Sequence, residues 1–437
     1  MRVLIVAFAF PPVNVIGAIR VGKLARYLDR GGHDLRVLTT EIGEDRSLPL
    51  DIPKECVVQT AYCKREAWLD RLIRWYGNLG AQAGARGEMS QAQESRPHKS
   101  PRNILRRQYH GLMNIPDLRI DWVKTAIPAG RRLIEEWRPN IIFASAPPFT
   151  SLIVASRLGR TFGIPWVADF RDLWVDNPYY SEPAWRRIVD LAFERLTVRD
   201  AAALVTVSPV WAQQLRRRHG RAAEIVYNGY AEEDLPQPPP YEDREEALTI
   251  RYTGSIYQGF RDPSAVFAAI QLMPDSLRDR VTVEFFGDPC DDVLALAAKY
   301  RVRDRVSTTP LVPYRRALEL QMTADVLLLL QWSDKRDEGN IPGKTFEYLR
   351  ARRPILLIGY EHGVAAQLIR ERGAGVVSNS PEQIRDQLLA WIEDKRAGRL
   401  KRLDPAVSYG LSREEQFRKL EKILAKIVNE GNGLAKA

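Results

Sequence analysis

Cysteine is scarce in this chain. Its 437 residues hold three, Cys56, Cys63 and Cys290, and their spacing is not that of a metal site. Such usage fits a reducing compartment. There is no Asp-x-Asp pair and no His/Cys cluster, so no metal and no cofactor is expected. No apolar run approaches the ~20 residues that cross a bilayer. The opening Met1-Arg2-Val3-Leu4-Ile5-Val6-Ala7 is too short for a signal peptide and runs into Pro11-Pro12 rather than a cleavage site. These absences predict a cytoplasmic protein. A G-x-G-x-x-G turn is also missing after the first strand, and no acidic residue ends the second, which disfavours a nicotinamide enzyme.

What is present is an ordinary globular composition, with 45% hydrophobic and 27% charged residues, long enough for two or three domains. Net charge is +10 and uneven. Between residues 71 and 110, Arg71, Arg74, Arg86, Arg96, Lys99, Arg102, Arg106 and Arg107 face only Glu88 and Glu94. A basic patch fits an anionic partner, whether nucleic acid, anionic lipid or a phosphorylated substrate, or serves as a solubilising loop.

Arg2 to Phe8 reads as a buried parallel strand, Ala18 to Leu28 as a helix ended by Gly31-Gly32, and Leu35 to Thr39 as the next strand. Gly17, just before that helix, suits close approach of a ligand, with Arg20 one turn further in. Residues 64–122 interrupt the alternation with a basic insertion. Trp68, Leu69, Leu72, Ile73 and Trp75 share a short helix with Arg71 and Arg74, Gly80 to Ser100 is polar and low in complexity, and Ile104 to Leu112 is again basic. Such helices lie flat on a membrane or dock on the protein's own core.

Alternation then returns. Asn140 to Ala144 and Pro165 to Ala168 are strands, and the second exits into Asp169-Phe170-Arg171-Asp172. Strand exits of a parallel sheet face the ligand cleft, which makes Asp169, Arg171 and Asp172 candidates for a site or for a structural ion pair. Arg186 to Ala201 reads as helix, Ala203 to Val207 and Glu224 to Tyr227 as strands. The proline-rich Leu235 to Tyr241 is a stiff linker and places a domain boundary. The second half restarts with a strand, Leu248 to Tyr252, then Thr253-Gly254-Ser255 and on to Arg261, a glycine-edged loop suited to a diphosphate. A long last helix spans Arg413 to Asn429. Two successive α/β units result.

One stretch organises the rest. Ala324 to Leu330 and Pro354 to Ile358 read as buried strands, and between them Pro342-Gly343 starts a helix. A helix start fed by a strand gathers an anion through its unpaired N–H groups and dipole. Lys344 adds a cation, and Glu347, a turn after Gly343, offers a carboxylate to a pair of ribose hydroxyls. The same residues also fit a capped surface helix.

In their order along the chain these residues resemble the GT-B glycosyltransferases of the large retaining family that includes bacterial exopolysaccharide and lipopolysaccharide transferases (glycosyltransferase family four). Phe10-Pro11-Pro12 to Gly17 with Arg20 is similar to the family's first loop, Gly163 to Asp172 to its catalytic-site strand, and Val205 to Ser208 and Tyr227 to Gly229 to its last N-domain strand and turn. Gly343-Lys344-Thr345-Phe346-Glu347-Tyr348-Leu349 resembles the donor signature. Three family positions differ: the site histidine is Arg171, the first donor glutamate falls on Gly339 with Glu338 one residue off, and the two phosphate cations fall on Ser255 and Arg261.

The resemblance implies two Rossmann-like domains facing a cleft: residues 1–230 on the acceptor side, 231–410 binding the nucleotide sugar, and 411–437 a helix crossing back to the N-terminal domain. It implies a nucleotide-diphosphate sugar donor, with Gly254, Ser255, Arg261, Gly343 and Lys344 at the diphosphate, Glu347 at the ribose, and the base near Leu311 and Val312. Gly17, Arg20, Asp169, Arg171 and Asp172 would line the acceptor side, where a glycan or polyprenyl-diphosphate-linked acceptor enters. Residues 64–112 would meet the inner face of the cytoplasmic membrane, and nucleic acid is not an expected partner. A sugar-nucleotide epimerase of the same fold and a basic nucleic-acid-binding protein are the alternatives.

Overall fold

A computed structural model of the chain describes residues 1–42, 46–62, 114–180, 182–235, 247–256 and 259–434. The expected helix around Trp68 to Trp75, the polar Gly80 to Ser100, the basic Ile104 to Leu112 and the prolines of the linker lie outside the described residues.

The chain divides into two compact units. The first comprises Met1–Thr206, Leu215–Glu224 and Glu421–Ala437, and the second Val207–Gln214 and Ile225–Leu420. Each is built on one sheet. The first holds β1 (Arg2–Val6), β2 (Asp34–Thr40), β3 (Val57–Thr60), β4 (Ile141–Ala146), β5 (Trp166–Phe170), β6 (Ala203–Thr206) and β7 (Ala223–Ile225), in the order β3-β2-β1-β4-β5-β6-β7. The second holds β8 (Leu248–Thr253), β9 (Val281–Phe286), β10 (Val306–Thr309), β11 (Val326–Leu330), β12 (Ile355–Ile358) and β13 (Gly375–Val377), in the order β10-β9-β8-β11-β12-β13. Neighbours pair in parallel, as β1 does with β2 and β4, and β8 with β9 and β11.

Helices cover both faces of a parallel sheet, so its strands are apolar throughout. Val3, Leu4, Ile5 and Val6 are wholly buried. Along β11 successive side chains point to opposite faces. Val326, Leu328 and Leu330 join one core with Phe267, Phe285 and Trp391. Leu327 and Leu329 join another with Phe346, Tyr348 and Leu349 of the helix Gly343–Ala351. Burial of these three side chains anchors the inward side of that helix, which fixes its first turn at the exit of β11.

Both sheets reverse strand order at their first strand: between β1 and β4, and between β8 and β11. Such a switch point opens a crevice at the carboxyl ends of the strands, where ligands of this architecture bind.

Several boundaries differ from those read in the sequence. The first helix runs Ile16–Arg30, so it begins ahead of Gly17 rather than after it. The helix expected from Arg186 starts at Ala184, directly after Pro183. The expected strand Glu224 to Tyr227 is a short Ala223–Ile225, after which Tyr230 bridges to Ser412. The last helix extends to Leu434. In the first unit its Glu421 accepts hydrogen bonds from Tyr27 Oη at 2.7 Å and from His33 Nε2 at 2.8 Å.

One buried ion pair ties the second unit's last long helix to its sheet. Lys395 Nζ lies 2.7 Å from Asp325 Oδ2 and 2.7 Å from the carbonyl of Ala247, and Asp325 also accepts from Thr249 N at 2.8 Å. Breaking such a pair from one side strands a charge in the interior. Lys395→Met should therefore destabilise the protein by about 3 kcal/mol in urea unfolding, and adding Asp325→Leu should recover part of the loss.

Candidate functional site

The second switch point gathers charge around a pair of glycines. At the exit of β8, Gly254 adopts φ +114°, and a Cβ there would lie 2.7 Å from Lys344 Nζ. Gly287, at the exit of β9 with φ +153°, would place a Cβ 2.3 Å from the Gly254 carbonyl oxygen. The two loops touch backbone to backbone, and Gly254 N donates to Phe286 O at 2.8 Å. Only glycine permits this approach, and the space it leaves is where the lysine ends.

Lys344 Nζ donates to the carbonyl of Thr253 and sits 4.0 Å from the ring centroid of Tyr252. Arg261 Nη1 donates to the Ser255 carbonyl at 2.8 Å, so both cations are fixed to the same loop. Burial, then the charge of Arg261, push the Lys344 ammonium down to about 7, against a smaller opposing pull from Glu347. The helix Gly343–Ala351 has Pro342 before it and no side-chain cap, and its Gly343 is exposed with open space around the Cβ position. Its first-turn N–H groups and dipole add to the positive field.

Glu347 lies one turn along from Lys344. Its Oε1 accepts from Tyr314 Oη at 3.0 Å and its Oε2 from Gln321 Nε2 at 3.1 Å. Leu311 and Val312, just beyond β10, leave Leu311 66% exposed. Phe260 packs edge-on against Trp332 at 4.9 Å between centroids, and Arg336 stacks over that tryptophan at 4.2 Å. The second unit thus brings together Gly254, Ser255, Arg261, Gly343, Lys344 and Glu347, with Leu311 and Val312 on the same sheet edge. Gly339 is no stand-in for a carboxylate: a Cβ there would lie 2.3 Å from the Trp211 indole. The close indole is why a small residue occupies that position.

The first switch point is arranged differently. Asp169 is wholly buried at the end of β5 and accepts from Ser145 Oγ at 2.7 Å and Arg20 Nη2 at 3.3 Å. Arg20 is only 5% exposed. Arg20 is placed against Asp169, whose charge it faces. A Cβ at Gly17 would meet Arg171 Nη1 at 2.7 Å, so this guanidinium lies directly over the glycine. Arg171 also donates to the Pro147 carbonyl, while its Nε is buried with no partner among the described residues. Burial lowers its pKa, opposed by Asp169 and Asp172, and burial raises that of Asp172, opposed by Arg171. Arg171 and Asp172 remain half-buried at the strand ends.

Among the described residues no group of His, Cys, Asp and Glu is arranged to hold a metal, and no helix is long and apolar enough to cross a membrane.

A lysine whose charged form is disfavoured on folding lowers stability most when it is charged. Its folded pKa of about 7 lies below the ordinary 10.5, so the penalty is full below pH 7 and fades as pH rises toward 10.5. Lys344→Met should therefore stabilise the protein by roughly 2 kcal/mol at pH 6, with a smaller gain at pH 9, in chemical denaturation at the two pH values.

Comparison with known proteins agrees with this architecture. A glycosyl transferase 4-like domain model matches residues 17–231. A glycosyltransferase from Rickettsia africae superposes with a TM-score of 0.60 at 13% identity, covering 98% of each chain. The Anabaena HepE protein, solved in complex with UDP, gives 0.60 at 13% identity over 98% of this chain and 100% of its own. A putative UDP-N-acetylglucosamine 2-epimerase from Listeria monocytogenes gives 0.57 at 12% identity over 98% and 97%. No curated protein matches the sequence. Identities this low speak for the fold, and the domain match speaks for the chemistry. Residues 17–231 form a glycosyl transferase 4-like domain, and the chain is a glycosyltransferase on the two-unit GT-B fold.

Proposed function

We propose that the chain transfers a sugar from a nucleotide-diphosphate sugar to a glycan or polyprenyl-diphosphate-linked acceptor, with retention of configuration, in the building of a bacterial surface polysaccharide. One observation carries the donor half: Lys344, Arg261 and Glu347 converge at the exits of β8 and β11 beside an uncapped helix start. HepE, of the same fold, was solved with UDP and with UDP-glucose.

In this reading the bond between the sugar's anomeric carbon and the β-phosphate oxygen breaks, and the electron pair stays on the phosphate. Arg261, Lys344 and the first N–H groups of the helix stabilise that growing charge, and they are already oriented before the sugar arrives. The acceptor hydroxyl oxygen bonds to the same carbon, and its proton passes to the departing phosphate. Glu347 accepts from the ribose hydroxyls, and Leu311 with Val312 receives the base. Arg171 and Asp172 lie on the acceptor side, with Asp169 and Arg20 as their buried support. The basic 64–112 segment meets anionic lipid at the inner face of the cytoplasmic membrane.

The test is a thermal-shift screen of nucleoside diphosphates and their sugars, followed by calorimetry. A binder should raise the melting temperature. Lys344→Ala and Glu347→Ala should each weaken it about tenfold or more. Unchanged affinity in both variants contradicts the proposal. Incubation with donor alone should leave it intact, whereas an epimerase would convert it.

A further inference from the structure

The Glu347 carboxylate is held from one side by a single helix. Tyr314 and Gln321 sit at the two ends of Tyr314–Met322, seven positions apart and hence on one face. Each donates to a different oxygen of Glu347, at 3.0 Å and 3.1 Å. A carboxylate has room for about four hydrogen bonds, so one acceptor position remains on each oxygen. Two acceptors side by side match a vicinal diol.

The two donors are held differently. Tyr314 is 40% exposed and is placed by its own hydrogen bond; local burial and the Glu347 charge raise its phenol above the ordinary value, so it keeps its proton and donates. Gln321 is 2% exposed. Its amide nitrogen also donates to Thr253 Oγ1 at 3.0 Å, which occupies both N–H bonds. Flipping the amide would turn its oxygen on a carboxylate. Thr253 in turn offers its carbonyl to Lys344, and Tyr348 Oη lies 3.3 Å from its N–H. The carboxylate and the ammonium are therefore both referenced to one residue at the exit of β8.

Resting on the nucleotide-sugar reading, we infer that Tyr314 and Gln321 are positioning residues that aim Glu347 at the 2′- and 3′-hydroxyls of the donor ribose, with Gln321 setting its distance from the diphosphate cations through Thr253. A site built to bond a hydroxyl discriminates against the analogue that lacks it. The pair thus determines selectivity for ribose, while the cations grip the diphosphate independently.

The experiment compares inorganic pyrophosphate, UDP, GDP and ADP, and the 2′-deoxy form of whichever nucleotide binds, by calorimetry on the full chain. The wild type should favour the ribonucleotide by about tenfold or more. Tyr314→Phe and Gln321→Met should each reduce that preference to about threefold or less, with pyrophosphate affinity within about twofold of wild type. A preference unchanged in both variants overturns the inference and leaves the nucleotide reading standing. A parallel loss of pyrophosphate affinity also overturns it, since that is the mark of a purely structural contact. Absence of any nucleotide binding by the wild type ends the nucleotide reading and the inference with it.

Discussion

A lysine ammonium beside an arginine, inside a protein and without a carboxylate bonded to it, is an unfavourable arrangement. Lys344 is held in it by geometry. The glycine at 254 leaves the space, the Thr253 carbonyl takes one of its protons, and the Tyr252 ring lies under its charge. Its nearest carboxylate, Glu347, is engaged instead by Tyr314 and Gln321. The positive charge is thus left under-compensated where a strand exit meets a helix start. In the proposed reading an anion with two phosphates resolves that imbalance.

The rest of the second unit serves this placement. Phe346 and Leu349 pack the helix Gly343–Ala351 against β11 and β12, which fixes where its first turn points. Gly287 brings the β9 exit against the β8 exit, which fixes Gly254. In the first unit the same topology yields a different result. There the strand-end charges pair among themselves: Arg20 with Asp169, and Arg171 folded over Gly17 toward the Pro147 carbonyl. One switch point sets Lys344 beside Arg261 at its mouth, and the other pairs Arg20 with Asp169.

The sequence showed what depends on neighbours along the chain. Apolar runs such as Val326 to Leu330 mark buried strands, and Pro342-Gly343 marks the start of a helix. Glycine at 254 and a lysine after Gly343 pointed to an anion site. What it did not show depends on residues far apart. Arg20 and Asp169 are 149 positions apart, and nothing local to either announces their pairing. Gln321 is an unremarkable polar residue within a helix until the fold sets it between Thr253 and Glu347, 68 and 26 positions away. Its one signal was placement two turns after Tyr314, with Leu318 and Met322 around it on the buried side. At Gly17 the sequence does not announce the neighbour that the fold supplies, Arg171, 154 positions away.

The central claim is that Lys344 is the group whose charge completes the diphosphate site. Its proton is the direct reporter. Calorimetry of a bound nucleoside diphosphate at pH 7.5, in buffers of different ionisation enthalpy, counts the protons taken up. Burial and the neighbouring Arg261 push the Lys344 pKa down to about 7, so part of its population is neutral there before the anion arrives. The account predicts net proton uptake in the wild type that is absent in Lys344→Met. No uptake by the wild type, or equal uptake by the variant, contradicts it.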